Sequence, residues 1–344
     1  MKIALDVMGG DHAPEEIVKG AVEAVAKLKG LDTIYLVGDE QATKAELAKY
    51  RQADMTKLEI VHAPESIGMD ESPADAVRKK KNCSINVAMG LVKRGAADAF
   101  VSAGNSGAVS ASALFTLSRI KGVLRPAIAT VLPSRLSDHP VLVLDAGANT
   151  DCHEDWLVQF AVMGSAYSRC ILKRPNPLVG LLSIGTEDCK GNEMTKKAFP
   201  LLQVAPGLNF HGNIEGHDIF QGEIDVVVCD GFVGNVVLKT TESVAHAVGD
   251  WMKNEFTRTT LRKMATLLLK FCGAFKSLKK KMDPEMYGGA PLLGVNGPVI
   301  ITHGASTSRA IYHAVRIGIH AAKTDLTGEI AARIADLNNS KAAE

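Results

Sequence analysis

Short apolar runs rich in Val, Ile and Leu alternate with segments whose apolar positions recur at helical spacing, and the alternation continues along the whole chain. The pattern predicts strands at Ile3–Val7, Thr33–Val37, Leu58–His62, Ala99–Val101, Ala127–Leu132, Val141–Leu144, Leu178–Ser183, Ile224–Cys229 and Val299–Thr302. Helices are predicted at Pro14–Lys29, Gln41–Tyr50, Ser72–Arg94, Trp156–Arg169, Asn235–Phe256 and Ser306–Ala322. Several of the strands are apolar on both faces, as in a parallel sheet covered by helices on each side. The expectation is one α/β domain over residues 1–344: a three-layer α/β/α, doubly wound, mostly parallel sheet. Composition changes sharply only near residues 256–281, read as a basic helical insertion.

In doubly wound sheets, ligands sit in the loops that follow the strands. Five such loops stand out: Asp6–His12, Ser102–Gly107, Asp145–Asn149, Asp230–Asn235 and Thr302–Ser306. Each combines Gly with Asp, Asn or Ser, and most lead into a helix, whose first N–H groups favour an anion. Any one of them is also an ordinary capped turn; the functional expectation rests on all five converging on one sheet edge. Neither a G-x-x-x-x-G-K-[ST] loop nor a G-x-G-x-x-G with a following acid is present after a strand, which points away from nucleotides and toward free phosphate.

Ser183–Glu193 empties a strand into a polar loop with a single lysine, Lys190, among acids and glycines. That ammonium can neutralise phosphate or an oxyanion; on its own it reads rather as a solvated surface lysine. His62, at a strand end, is a proton donor or a simple hydrogen-bonding residue, and Arg78–Lys81 is a phosphate or acidic-partner grip or a solvated helix face. No G-x-S-x-G elbow supports a hydrolase. Adjacent residues at a helix start point in different directions, so Cys152–Asp155 is read as capping the helix and facing solvent rather than as a metal site or a nucleophile.

Over 344 residues the formal net charge is +1, so no global field draws the protein to nucleic acid. The six cysteines form no C-x-x-C pair, matching a reducing cytoplasm and no zinc framework. No apolar run reaches the ~20 residues of a membrane span. Phe256–Lys281 is different: Arg258, Arg262, Lys263, Lys270, Lys276 and Lys279–Lys281 interleave with Leu261, Met264, Leu267–Leu269 and Phe271. Such a segment lies on an anionic membrane, docks an acidic partner or packs across a dimer interface.

Met1–Pro14, Val101–Ala108, Leu144–Asn149, Lys190–Glu193, Asp230–Asn235 and Gly304–Ser306, in this order, resemble the signature of the phosphate acyltransferase (PlsX) family over essentially the entire chain. The resemblance implies a Rossmann-like sheet related to phosphotransacetylases and isocitrate/isopropylmalate dehydrogenases. It also implies transfer of a fatty acyl group from acyl carrier protein to inorganic phosphate without an organic cofactor or metal. The enzyme would be a cytoplasmic homodimer, peripherally membrane-associated, supplying a membrane glycerol-3-phosphate acyltransferase. Lys190 and Asn235 match the family's candidate active-site positions, and His62 and Arg78 match nearby motif positions; His62 is taken as the third catalytic candidate. The candidate phosphate- or substrate-binding residues are Arg78, Asp6, Gly9, Gly10, Ser102, Gly104, Asn105, Ser106, Asn149, Asp230, Gly231 and Gly234. Two departures are Ser183 and Thr186, where the family's loop is more acidic, and Cys83, where serine is usual. Phosphate is anionic at neutral pH and needs positioning rather than a strong base, so direct attack is expected; a covalent route through Cys229 is the competitor. A coenzyme A-using phosphotransacetylase and a silent acyl-binding module are the alternatives.

Overall fold

The computed structural model describes residues 1–50, 54–136, 139–271 and 288–343. The strands are β1 (Lys2–Asp6), β2 (Thr33–Gly38), β3 (Leu58–His62), β4 (Ala99–Ser102), β5 (Ala127–Leu132), β6 (Val141–Leu144), β7 (Leu178–Leu182), β8 (Asn209–Ile214), β9 (Val226–Val228), β10 (Ala290–Leu293) and β11 (Val299–Ile301). Between them run α1 (Glu15–Lys27), α2 (Glu40–Leu47), α3 (Pro73–Lys79), α4 (Ser84–Lys93), α5 (Ser106–Thr116), α6 (Glu154–Cys170), α7 (Glu193–Gln203), α8 (Gly231–Thr257) and α9 (Thr260–Phe271). After β11 come α10 (Ser308–Lys323) and α11 (Leu326–Ala343).

All eleven strands form one sheet, ordered β3-β2-β1-β4-β11-β10-β5-β6-β9-β7-β8. From β3 to β11 every neighbour is parallel. Strand β10 is antiparallel to both β11 and β5, and β5 is antiparallel to β6. From β6 to β8 the pairs are parallel again, so these four strands run opposite to the first five. The sheet is mostly parallel, as expected, but it consists of two parallel halves of opposite direction.

Pleating explains the three layers. Ile3 and Leu5 enter one core with Ile17 and Val18 of α1 and Ile311 of α10, while Ala4 between them joins Ile85 and Met89 of α4 on the other face. In the second half, Leu142 and Leu144 face α6 through Leu157 and Phe160, whereas Val141 and Val143 face the start of α8. Each fully buried side chain of this kind contributes about 1.5–3 kcal/mol.

The helix predicted over Ser72–Arg94 is two helices. Asn86 of α4 turns its amide back onto the carbonyls of Val77 (2.9 Å) and Lys80 (2.9 Å), satisfying the end of α3 where a continuous helix would have used backbone bonds. At the opposite layer, Glu16 accepts the backbone N–H of Ser308 at 2.6 Å and lies 3.3 Å from Lys19, tying α1 to the start of α10. The Ser308 hydrogen bond holds the Glu16 carboxyl below its ordinary value. A carboxyl lowered in the folded state stabilises above its unfolded pKa, and that contribution disappears as pH falls through the folded one. Glu16→Gln should therefore cost about 0.5 to 1 kcal/mol at pH 7 after solvent screening, with the gap closing as pH falls below the ordinary carboxyl range and through the lowered folded value. Urea melts of both proteins across that range check this; a gap independent of pH would contradict it.

Candidate active site

At the carboxyl ends of the neighbouring strands β1, β4 and β11, three loops knit together. Asp6 is fully buried and accepts the Met8 N–H (3.1 Å) and the Ser102 hydroxyl (2.7 Å), and Ser102 Oγ in turn accepts the Gly104 N–H (2.9 Å). Burial pushes the Asp6 carboxyl up, and these hydrogen bonds oppose the rise. A Cβ on Gly9 would collide with Asp6 and the Gly104 backbone, so only glycine permits this approach. Gly10 has φ +103°, and the next residue, Asp11, donates its N–H to Gly304 O at 2.8 Å. Asn105 is a cap and a brace: its Oδ1 accepts the Ala108 N–H at 3.1 Å and its amide reaches the carbonyls of Met69 (3.1 Å) and Glu71 (3.2 Å). Ser106, opening α5, is exposed at this edge.

A second group lies at the ends of β6, β9 and β7. The Asp145 carboxylate is buried and collects the N–H groups of Ile128 (3.0 Å), Gly147 (3.2 Å), Ala148 (3.0 Å) and Asn149 (2.7 Å), plus the Asn149 amide (2.8 Å). This cradle holds the protein's own carboxylate. Burial still leaves Asp145 above its ordinary pKa despite those donors. Asn149 O accepts the Gly231 N–H (2.7 Å), and Asp230 caps α8 through the Val233 N–H (2.8 Å). Asn235 is exposed on the first turn of α8, beside Gly147.

Lys190 is also exposed, in the loop between β7 and α7. Its stem crosses Gly185, where a Cβ would stand 2.9 Å from Lys190 Cγ. Lys190 N–H donates to Glu187 O (3.0 Å), and Asn192 closes the loop by capping α7 through Thr195 N–H (2.9 Å). Asn213, on the unpredicted strand β8, donates its amide to Glu187 O at 2.8 Å from beneath.

Five loops on one edge were expected; the antiparallel pair β10/β5 reverses the chain direction and places two of them at the opposite edge. Asp6, Gly9, Gly10, Ser102, Gly104, Asn105 and Ser106 share the first edge. Lys190, Asn149, Asp230, Gly231, Gly234 and Asn235 share the second, because β7 and β9 are parallel neighbours. Strands β1 and β9 are six places apart, roughly 30 Å at ~4.8 Å per strand. His62 ends the outermost strand β3, nine places from β7, and its Nδ1 accepts the Glu40 N–H at 3.3 Å. Within one chain it therefore cannot hand a proton to a group held by Lys190. Arg78 does not point to a loop either: its guanidinium lies 5.1 Å over the Phe115 ring.

The thiol at the second edge is inert. Cys229 is buried with Sγ 3.7 Å from Asp145 O, and burial, with the neighbouring Asp230 and Asp145, pushes its pKa far up. Cys152 is pushed up to about 12, first by burial. The thiolate is the nucleophilic form, so Cys229→Ala should retain acyl transfer within about threefold; loss of turnover in a folded variant would restore the covalent route. Among the described residues no cluster of His, Cys, Asp and Glu is arranged to hold a metal ion.

Residues 1–328 match the family described as Fatty acid synthesis protein. The chain belongs to that family. It is 51% identical over 334 residues to the phosphate acyltransferase of Pelotomaculum thermopropionicum, covering 97% of this chain and 95% of that one. It is 47% identical over 342 residues to the phosphate acyltransferase of Desulforudis audaxviator, covering 99% and 98%. As a member of this family the chain is an acyltransferase. Its fold is shared with a phosphotransacetylase from Streptococcus pyogenes (TM-score 0.62, 19% identity, 94% of each chain) and with EutD phosphotransacetylase from Staphylococcus aureus (TM-score 0.61, 19% identity, 94% of each chain).

Helix α8 leaves Phe232, Val236, Val244 and Trp251 exposed, and α9 exposes Leu261, Met264 and Leu267 beside Arg262 and Lys263. The expected basic helix is thus divided at Arg258–Thr259, and residues 272–281 of that segment lie outside the described residues. Among the described residues no helix is long and apolar enough to cross a membrane.

Proposed function

We propose that the enzyme transfers a long-chain fatty acyl group from acyl carrier protein to inorganic phosphate, giving acyl phosphate for phospholipid synthesis. The observation that carries this reading is the placement of Lys190 and Asn235, both exposed, in the loop after β7 and on the first turn of α8 after β9, two adjacent parallel strands, while Cys229 at the end of β9 is buried. A phosphate oxygen attacks the thioester carbonyl, a C–O bond forms, and the C–S bond breaks with the electron pair leaving on sulfur. The Lys190 ammonium and the Asn235 amide stabilise the charge that develops on the carbonyl oxygen. A thiol with a pKa near ~8.5 leaves with only weak acid assistance, which solvent supplies at this open edge; no step is assigned to His62. The first edge, with Ser106 at a helix start, offers a second polar surface of the same chain.

The exposed apolar residues of α8 support a homodimer, and the basic, apolar surface of α9 supports contact with acidic acyl carrier protein or with the inner face of an anionic membrane. The product would pass from there to a membrane glycerol-3-phosphate acyltransferase. The test is acyl hydroxamate formation from long-chain acyl carrier protein in the presence of hydroxylamine, with and without phosphate. Phosphate-dependent product supports the reading. Turnover only with acyl-coenzyme A would transfer the reaction to a different donor, and no product with either would remove it.

A further inference from the structure

The lysine loop rests on one buried polar side chain. Asn213 is 3% exposed in β8, paired opposite Leu181 of β7, at a position where an apolar residue would pack without penalty. Its amide donates to Glu187 O at 2.8 Å and reaches Lys190 O at 3.5 Å, the outer limit of a hydrogen bond, so the contact at Glu187 is the dominant one. Because the Lys190 N–H itself bonds Glu187 O (3.0 Å), the one amide governs both ends of the turn that carries the ammonium. The other end of the side chain does nothing for stability: Asn213 Oδ1 is buried and without a hydrogen-bond partner among the described residues, as is Ser183 Oγ under the same loop. A polar group kept half-unsatisfied in a sheet is a poor stabilising device. Its one satisfied function is to hold this loop.

We propose that Asn213 is a positioning residue for acyl transfer, fixing the height and direction of Lys190 through the Glu187 and Lys190 carbonyls. This rests on the proposed role of Lys190. Asn213→Leu removes the clasp together with the orphaned acceptor, so the fold should melt at or above the wild-type temperature while kcat falls by about tenfold to a hundredfold, the cost of roughly 1 Å of misplacement. Adding Asn213→Leu to Lys190→Ala should produce no further loss, since the clasp acts only through the lysine. Should the leucine variant fail to fold, Asn213→Val, which lacks the donors and suits a strand, takes its place in the cycle.

The outcomes separate. Lys190→Ala with normal turnover would bring down the functional reading itself. Lys190→Ala impaired, with the Asn213 variant fully active or with losses that multiply, would overturn only the present inference. Loss of fold in both Asn213 variants would make the residue structural and overturn it as well.

Discussion

Lys190→Ala is expected to lower phosphate-dependent acyl transfer by about 10²- to 10³-fold, the loss typical of removing one group aimed at developing negative charge. The side chain is exposed, so its truncation should leave the melting temperature unchanged and the effect should be read in turnover alone. The loop around it is built for that side chain. Gly185 makes room for the stem, Asn192 caps α7 immediately after, and Gly191 adopts φ +117° where a Cβ would also meet Ser183 Oγ at 3.0 Å. Lys190→Arg keeps the charge but carries it on a longer planar head, so it should recover only part of the rate. Steady-state kinetics with phosphate varied at fixed acyl donor measures both variants. Turnover of Lys190→Ala within a few-fold of wild type would remove the lysine from the chemistry.

Gly234→Ala should be the most damaging single-methyl change in the chain's second half. Here the first turn of α8 passes directly over the end of β6: a Cβ would fall inside the Asp145 carbonyl oxygen, 2.9 Å from its carbon and 3.0 Å from Cys229 Sγ. The nearest neighbour is the Asp145 backbone, which cannot give as a side chain would, so the helix itself must move, carrying Asn235 with it. Overpacking of backbone against backbone at a buried position should cost about 3 kcal/mol or more and abolish activity. Gly249 is the control on the same helix. Nothing lies within 4 Å of its Cβ site, so Gly249→Ala should gain roughly 0.5–1 kcal/mol from helix propensity. Urea unfolding of the pair gives opposite signs if the contact is as described, and equal mild effects would refute it.

The sheet's central strands were legible because burial on both faces leaves uninterrupted apolar runs, as in Val141–Leu144 and Ile224–Cys229. Strand β8 was not, since Asn209-Phe-His-Gly-Asn-Ile214 is an edge strand whose polar residues interrupt any period. Strand β10 carries Pro291 at its second position and follows Gly288 and Gly289, which read against a strand. The break between α3 and α4 contains neither Gly nor Pro and is made by the Asn86 side chain, a tertiary cause. Candidate chemistry followed the same division. Lys190 and the Gly-rich loops announce themselves locally, whereas Asn213 lies 23 residues downstream on an unpredicted strand of mixed polarity and carries no local signal of its own. Strand direction leaves no trace in hydropathy, which is why loops at two edges read as one site.

The order in which the chain leaves the ribosome adds a consequence to the central position of β10 and β11. Strand β4 acquires its second neighbour, and β5 its first-half partner, only when residues 290–301 have been synthesised, nearly two hundred residues after β4. Until then each half presents an unpaired strand edge to solvent, the surface that templates aggregation in slow-folding sheets. The last strands made are the seam of the molecule, so nascent chains truncated before residue 290 should occupy chaperones as two unfinished sheets rather than fold as a shortened enzyme.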